Sequence, residues 1–265
     1  MTEQGQSHAT PAKEYHIKCV VKMRLTQRKF QRYIKQIRVF DIFSGDGQNS
    51  VSGINMQGSP LEIADAIIES GVDAFFVASD IREFAVEMLD SRLAKKTYPD
   101  MFREFRYSVN KNSAEDQLDI IHKYLDESED NHAIVIVDPN GPKVLPFEKL
   151  RSIMQQHGRQ CDMILNIAEG HLSRIMACSV TKDKNWWAKY DSIIRVIWDV
   201  INTTGNGWLR MPLRIEGNPG NVNSHRWRFV CTWGWCPPKN EWAGQNFFRV
   251  NSYADLKQQM EGKRS

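Results

Sequence analysis

The feature that most constrains the fold is a regular alternation of short apolar runs with amphipathic segments. The apolar runs, which are typical of buried strands, cover residues 39–43, 74–78, 105–109, 133–137 and 163–167. Amphipathic helices are predicted between them, near residues 59–69, 82–95, 114–125 and 146–156. Continuous apolar strands separated by helices indicate a parallel sheet that is covered on both faces. The sequence therefore predicts an α/β fold with a doubly wound, mostly parallel sheet.

Two of these helices carry start signals. Ser59-Pro60-Leu61-Glu62 has the spacing of a capping box, with proline at the first helical position. Asp80 followed by Glu83 repeats the same spacing at the next helix. We therefore expect Ser59 and Asp80 to lie at the N-caps.

The composition fits one elaborated domain, since the 265 residues include 35 basic and 32 acidic side chains and are 41% hydrophobic. We expect a flexible tail at residues 1–12, a single domain at 13–250 and a helix or tail at 251–265. The domain would comprise a basic helical segment (13–37), a ligand-binding core (38–180) and a tryptophan-rich elaboration (181–250). The sequence contains no run of about 18 apolar residues and no signal-peptide core, so we expect a cytoplasmic protein without membrane association.

The five cysteines are scattered and odd in number, which favours reduced thiols over a disulfide framework. Cys231, Cys236 and His225 lie close together in the sequence. A structural zinc site needs a further pair of ligands, and none accompanies them. We therefore expect no metal.

Two glycines one residue apart close the first predicted strand, in Asp41-Ile42-Phe43-Ser44-Gly45-Asp46-Gly47. Glycines at a strand end permit a tight turn and let the backbone approach a ligand. The third glycine of a dinucleotide fingerprint is missing, and the chain has no G-x-x-x-x-G-K-[ST] phosphate loop. Nucleoside triphosphates and nicotinamide cofactors are therefore disfavoured.

Acidic residues follow two further predicted strands. Asp80 ends the second strand, where an acid either accepts the hydroxyls of a ribose or caps the following helix. Asp138 follows the fourth strand in Asp138-Pro139-Asn140-Gly141, where it either starts a turn or serves chemistry. Because the carboxyl ends of parallel strands share one edge of the sheet, we expect the glycine turn, Asp80 and Asp138 to converge.

Both flanks of the core are unusual in composition. Residues 13–38 carry nine basic side chains and one acid, Glu14, which indicates either a solvated helix face or a footprint for phosphates. All eight tryptophans follow residue 185, and residues 208–242 mix them with arginines. They either pack in the core or form a stacking platform beside a phosphate track. Nucleic acid is therefore the favoured partner, and a protein partner is the alternative.

The segments D-I-F-S-G-D-G (41–47), G-S-P-L-E-I-A (58–64) and D-P-N-G (138–141), in this order, resemble class I S-adenosylmethionine-dependent methyltransferases, which have a Rossmann-like fold. Within that superfamily the sequence is most similar to the three-Cys-motif partner protein group. The resemblance covers residues 37–176 and becomes loose beyond them. It implies S-adenosyl-L-methionine as cofactor and methyl transfer as activity.

The resemblance also implies roles for individual residues. The turn would hold the methionine part of the cofactor and Asp80 the ribose, whereas side chains after the third strand would reach the adenine. The cofactor-binding residues are then Asp41, Ser44, Gly45, Asp46, Gly47, Asp80, Asn110 and Asn112, with Ser113 as a further adenine contact.

Asp138 would be the catalytic residue that removes a proton from the acceptor or orients it, with Asn140 as a second polar contact. The motif matches the aspartate-proline-proline-aromatic tetrad of amino-group DNA methyltransferases in its first two residues only. We therefore expect methyl transfer to a nucleic-acid base. The alternatives are an inactive methyltransferase-fold partner protein and a methyltransferase of proteins or small molecules.

Overall fold

The strands and helices of the chain follow the predicted alternation. A computed structural model describes residues 10–27, 34–51, 53–96, 105–139, 146–168, 207–210, 227–232 and 247–249. The helices are α1 (Thr10–Thr26), α2 (Ser59–Ser70), α3 (Glu83–Ala94), α4 (Ala114–Asp126) and α5 (Phe147–His157). The strands are β1 (Gln36–Asp41), β2 (Gln48–Val51), β3 (Ile54–Gln57), β4 (Ala74–Asp80), β5 (Arg106–Lys111), β6 (Asn131–Val137), β7 (Cys161–Ala168), β8 (Gly207–Arg210), β9 (Trp227–Thr232) and β10 (Phe247–Arg249). The five strands and four helices predicted up to residue 168 are thereby confirmed.

The internal contacts divide the chain into two compact units, Met1–Asp138 and Pro139–Ser265. The first unit contains four parallel strands in the order β6-β1-β4-β5. The chain moves outward from β1 through β4 to β5 and then returns to β6 on the other side of β1. The order reverses at this point, and in doubly wound sheets a ligand site lies beyond the carboxyl ends of the strands there.

The apolar runs supply the core of the first unit. Val39, Phe40, Phe76, Ile134 and Val135 are fully buried, as expected for parallel strands that are covered on both faces. The architecture is the predicted Rossmann-like α/β fold.

The predicted caps are wrong in detail. Helix α2 has Gly58 at its N-cap, because the Ser59 hydroxyl donates instead to Asp41 Oδ2 at 3.2 Å. Helix α3 begins at Glu83 with Arg82 as N-cap and without a side-chain cap. A complete capping box occurs at α4, where Ser113 is the N-cap.

Helix α1 packs along α2 and begins three residues before the predicted start at residue 13. Its apolar side chains Ile17, Val20 and Leu25 are buried. Two of its lysines, Lys18 and Lys22, form ion pairs with Glu69 of α2 at 2.6 and 2.8 Å. These cations of the basic segment are therefore neutralised within the unit.

Between the glycine turn and α2, residues 48–51 and 54–57 form an antiparallel hairpin of β2 and β3. The predicted pattern missed it because two strands of four polar and mixed residues carry no apolar run.

The second unit contains α5 and the strands β7 to β10. Strand β9 lies between β7 and β8 and runs antiparallel to both, and β10 pairs with β8. Strands β8, β9 and β10 fall within the tryptophan-rich segment at residues 181–250. The segment at 251–265, expected to be a helix or tail, lies outside the described residues. No described helix is long and apolar enough to cross a membrane.

Candidate functional site

The turn after β1 depends on its two glycines. Gly45 has φ +60° and Gly47 has φ +78°, values that residues with a side chain rarely adopt. A Cβ on Gly47 would also lie 2.7 Å from Leu89 Cδ1 of α3. The turn is therefore pressed against α3, and position 47 tolerates no side chain without rearrangement.

The glycine-serine-proline segment fixes this turn from the other side. The Gly58 N–H donates to Gly47 O at 2.8 Å, and a Cβ on Gly58 would lie 3.0 Å from the Gly47 carbonyl carbon. The hydroxyl of Ser59 binds the carboxylate of Asp41 at the base of the turn. These residues matched the family pattern in the sequence, but only the structure shows their task.

Arg92 of α3 anchors the tip of the turn, a role that sequence reasoning missed. Its guanidinium donates to Asp46 O and Gln48 Oε1 and lies 3.0 Å from Asp46 Oδ2. Asp46 is thus held by a partner 46 residues away, which no local sequence signal indicates.

Asp80 lies beside the turn, as predicted. The Gly45 N–H donates to Asp80 Oδ2 at 3.1 Å, and the Ser44 hydroxyl donates to Ser79 O at 2.9 Å. The Arg82 guanidinium binds both carboxylate oxygens of Asp80, at 2.9 and 3.1 Å. Partial burial raises the pKa of Asp80, but the hydrogen bonds from Arg82 and Gly45 outweigh it and hold the pKa below its ordinary value. Asp80 therefore stays ionised at the carboxyl end of β4.

Asp138 lies at the end of the unit's sheet in a buried charge cluster with Lys13 and Glu14 of α1. Lys13 Nζ is 2.5 Å from Asp138 Oδ2 and 3.1 Å from Glu14 Oε1. Asn49 of β2 donates to Glu14 Oε1 at 3.3 Å. In the sequence Lys13 belongs to a basic segment, whereas in the structure it lies against the candidate catalytic acid.

Two buried carboxyl groups of this region, those of Glu14 and Asp41, resist ionisation. Burial raises the pKa of Glu14 to about 7, with partial compensation by Lys13. Burial and the nearby charge of Asp138 raise the pKa of Asp41 to about 7. Burial opposes the charge of Lys13, but attraction by Asp138 and Glu14 outweighs it and raises the lysine pKa. The ammonium group of Lys13 thus faces two carboxyl groups, those of Asp138 and Glu14.

The predicted adenine contacts lie at and after the end of β5. Asn110 is in register with Ser79, one residue before Asp80. Asn112 donates to Gln117 Oε1 at 3.0 Å, and the Ser113 hydroxyl caps α4. Ile81, which sequence analysis overlooked, follows Asp80 and exposes 69% of its surface. Asn140 lies outside the described residues.

The carboxyl edge of the four strands therefore joins a glycine turn to a set of ion-paired charges. Within the described part of the chain, the cations around the turn are bound by carboxylates: Lys13 by Asp138, Arg82 by Asp80 and Arg92 by Asp46. A phosphate placed here would meet acidic side chains and no cation prepared for it. The site suits a nucleoside that carries a positive charge or none.

Among the comparisons with known proteins, a similarity to one solved structure shows the fold. No family model matches the chain, and no curated protein matches its sequence. Protein LPL1258 from Legionella pneumophila is similar in structure, with 10% identity, a TM-score of 0.51 and coverage of 94% of this chain and 90% of the other. This similarity shows the fold.

Two methyltransferase structures also align with the chain. Trm1 from Pyrococcus horikoshii, solved with S-adenosyl-L-methionine, has 13% identity and a TM-score of 0.47, with coverage of 85% of this chain and 56% of the other. The human methyltransferase 10 domain containing protein has 9% identity and a TM-score of 0.41, with coverage of 88% and 85%.

Proposed function

We propose that the protein is an S-adenosylmethionine-dependent methyltransferase. The observation that carries this proposal is the hydrogen bond between the Gly45 N–H and Asp80, which joins a glycine turn to an ionised acid at the switch point of a parallel sheet. This arrangement suits a nucleoside, and the paired cations argue against a phosphorylated one. S-adenosylmethionine is a nucleoside whose sulfonium and ammonium groups are positive, and it would supply an electrophilic methyl group.

The residues present fit this cofactor. A Cβ on Gly45 would lie 3.7 Å from Arg82 Nη2, so the missing side chain leaves room between the turn and Arg82. Backbone groups of residues 44–47 would hold the methionine part, and Asp80 would accept hydrogen bonds from the ribose hydroxyls. Asn110 and Asn112 offer amide groups to the adenine edge, and the exposed Ile81 offers an apolar surface to its face.

The strand order of the second unit differs from that of a dinucleotide-binding sheet. Strand β9 is inserted antiparallel between β7 and β8. Dinucleotide-binding sheets are mostly parallel, so this antiparallel strand argues against a dinucleotide-binding sheet.

Asp138 is the residue we assign to the acceptor. In an in-line displacement the acceptor nitrogen bonds to the methyl carbon while the carbon–sulfur bond breaks, and the electron pair stays on sulfur. The acceptor must also lose a proton, which Asp138 would accept directly or through water. The buried ammonium of Lys13 at 2.5 Å positions this carboxylate.

We further propose a nucleic-acid base as the acceptor. An amino group on a base donates hydrogen bonds, which suits a carboxylate at position 138. The arginine- and tryptophan-rich composition of residues 208–242 supports a surface that stacks bases and contacts phosphates.

The Lys13–Asp138 ion pair also favours a second candidate, a protein that binds the cofactor without turnover. In this case Lys13 would be the permanent partner of Asp138, and no acceptor would displace it.

Incubation with methyl-labelled donor and separate pools of DNA, RNA, protein and small metabolites tests the proposal. We expect label in a nucleic-acid pool and a loss of at least about 100-fold in Asp138→Asn, with donor binding retained. Asp65→Asn is the matched control, because Asp65 is also a carboxylate paired with a lysine, Lys96, but lies on α2. Label in the protein or metabolite pool would contradict the nucleic-acid acceptor. Donor binding without label in any pool would support the second candidate.

A further inference from the structure

A cavity lies at the amino-terminal edge of the sheet in the first unit, at the opposite end of the strands from the candidate site. Its volume is about 490 Å³. It is lined by residues 35–38, which include the start of β1, and by Asp73, Phe75 of β4 and Arg106 of β5. This volume lies within the range of small-molecule sites, about 300–1,000 Å³. The proposed methyl transfer does not use it.

Part of the lining is a row of side chains across three adjacent strands. Arg38 of β1 is in register with Phe75 of β4, and Phe75 is in register with Arg106 of β5. Side chains alternate between the two faces of a sheet, so in-register neighbours on parallel strands share a face. The row therefore places a phenyl ring between two guanidinium groups.

Arg38 is held by aromatic rings. Its guanidinium carbon lies 4.2 Å from the centre of the Tyr124 ring and 5.8 Å from that of Phe75. The Tyr124 hydroxyl donates to Gln36 O at 3.0 Å, which fixes the ring. Among the residues that the structure describes, no carboxylate forms an ion pair with Arg38. Stacking on ring faces leaves the N–H donors of a guanidinium at its edge, where they suit a planar or tetrahedral anion.

Among the described residues, the other two cations of the cavity form ion pairs with exposed carboxylates. Arg106 lies 2.5 Å from Asp73, and both side chains are more than half exposed. Lys35 pairs with Asp130, also at the surface. Exposed ion pairs contribute about 1 kcal/mol or less, so a phosphate competes with them readily. The lining carries three basic side chains and one acidic side chain.

We propose that this cavity binds a nucleoside monophosphate unit, with its phosphate on Arg38 and Arg106 and its base against Phe75. Two guanidinium groups provide forked donors for phosphate oxygens. The phenyl ring between them provides a surface on which a base stacks. The unit is either a free nucleotide or one residue of a single-stranded nucleic acid.

Calorimetric titration with uridine 5′-monophosphate at low salt tests the proposal, with uridine and inorganic phosphate in parallel. Uridine is chosen because it lacks the adenine that the site at the carboxyl edge would recognise. We expect the monophosphate to bind at least about tenfold more tightly than either fragment. Arg38→Gln and Arg106→Gln should each weaken it about tenfold, a loss of about 1.4 kcal/mol.

Lys111→Gln is the matched control. Lys111 lies on the same strand as Arg106, about 17 Å away at 3.3 Å per residue. Both cations expose 54% of their side chains, and both are paired with exposed acids. Thermal unfolding will show whether Arg38→Gln is folded, and the exposed Arg106 provides the deciding variant if it is not.

A labelled oligouridine of about 12 nucleotides, measured by fluorescence anisotropy, identifies the source of the ligand. Tighter binding of the oligomer than of the monophosphate assigns the cavity to nucleic acid, and equal binding assigns it to a free nucleotide. Three results would overturn the proposal: no binding of either probe, equal affinity for phosphate and monophosphate, or the same loss in Lys111→Gln as in Arg106→Gln. None of these readouts depends on donor binding or methyl transfer.

Discussion

The substitution Asp41→Asn should stabilise the protein at alkaline pH and have little effect in acid. Burial raises the pKa of Asp41 from an ordinary value of 3.8 to about 7. Between these values the folded state keeps a proton that the unfolded state has released. The folded state binds more protons in this window, so the free energy of unfolding falls as pH rises from about 4 to 7. This contribution is present in full below pH 4 and lost above pH 7.

The size of the effect follows from the shift. About three pKa units correspond to roughly 4 kcal/mol at most, with a slope of about 1.4 kcal/mol per pH unit for a single group. Asparagine is neutral and nearly isosteric. It can still accept from the Phe43 N–H and bond to the Ser59 hydroxyl, which form the hydrogen bonds to the Asp41 carboxyl group among the described residues. The variant should therefore match the wild type near pH 4 and exceed it by several degrees in unfolding temperature at pH 8.

Thermal unfolding followed by circular dichroism at pH 5, 6, 7 and 8 measures this difference. Burial also raises the pKa of Glu14, so Asp41→Asn should reduce the pH slope without abolishing it, and Glu14→Gln should remove a further part. Glu87→Gln, at an exposed position of α3, is the control and should leave the slope unchanged. Equal slopes for Asp41→Asn and the wild type would refute the argument that burial shifts this carboxyl group.

Two further substitutions test the packing of the site. Gly47→Ala should lower the free energy of unfolding, measured in urea, by about 1–3 kcal/mol more than Gly53→Ala. Both glycines have φ +78°, but only at position 47 would the added Cβ meet another side chain. Equal losses would show that the contact is relieved without cost. Lys13→Met should lower the free energy of unfolding by about 3–5 kcal/mol, because it removes the ammonium partner of buried carboxylates. Lys22→Met removes an exposed ion pair and should lower the free energy of unfolding by about 1 kcal/mol or less. A loss for Lys13→Met as small as that for Lys22→Met would contradict the assigned ion pair.

The strands and helices of the first unit could be predicted because their signals are local. Residues 74–78 and 133–137 are uninterrupted apolar runs, and such runs become buried parallel strands wherever helices cover both faces. The same reasoning placed Asp80 beside the glycine turn, since neighbouring parallel strands end at one edge.

The details of the site depend on partners that are distant in the sequence. Lys13 reaches Asp138 across 125 residues, so its role was invisible in a pattern that showed only a basic segment. Ser59 has the local signature of an N-cap, but the buried Asp41 provides a stronger acceptor for its hydroxyl. In both cases a buried carboxyl group required a hydrogen-bond partner, and this requirement determined the contact instead of the local sequence preference.

Donor binding by the wild type and by Asp80→Ala tests the central claim most directly. Calorimetric titration with S-adenosyl-L-methionine should show binding to the wild type and at least about tenfold weaker binding to Asp80→Ala, because two hydrogen bonds to an ionised acceptor are lost. Asp73→Ala is the matched control, since Asp73 precedes the same strand at its opposite end and also pairs with an arginine. Its affinity should equal that of the wild type. A wild-type protein that does not bind the donor, or an Asp80→Ala variant that binds it as tightly, would contradict the account.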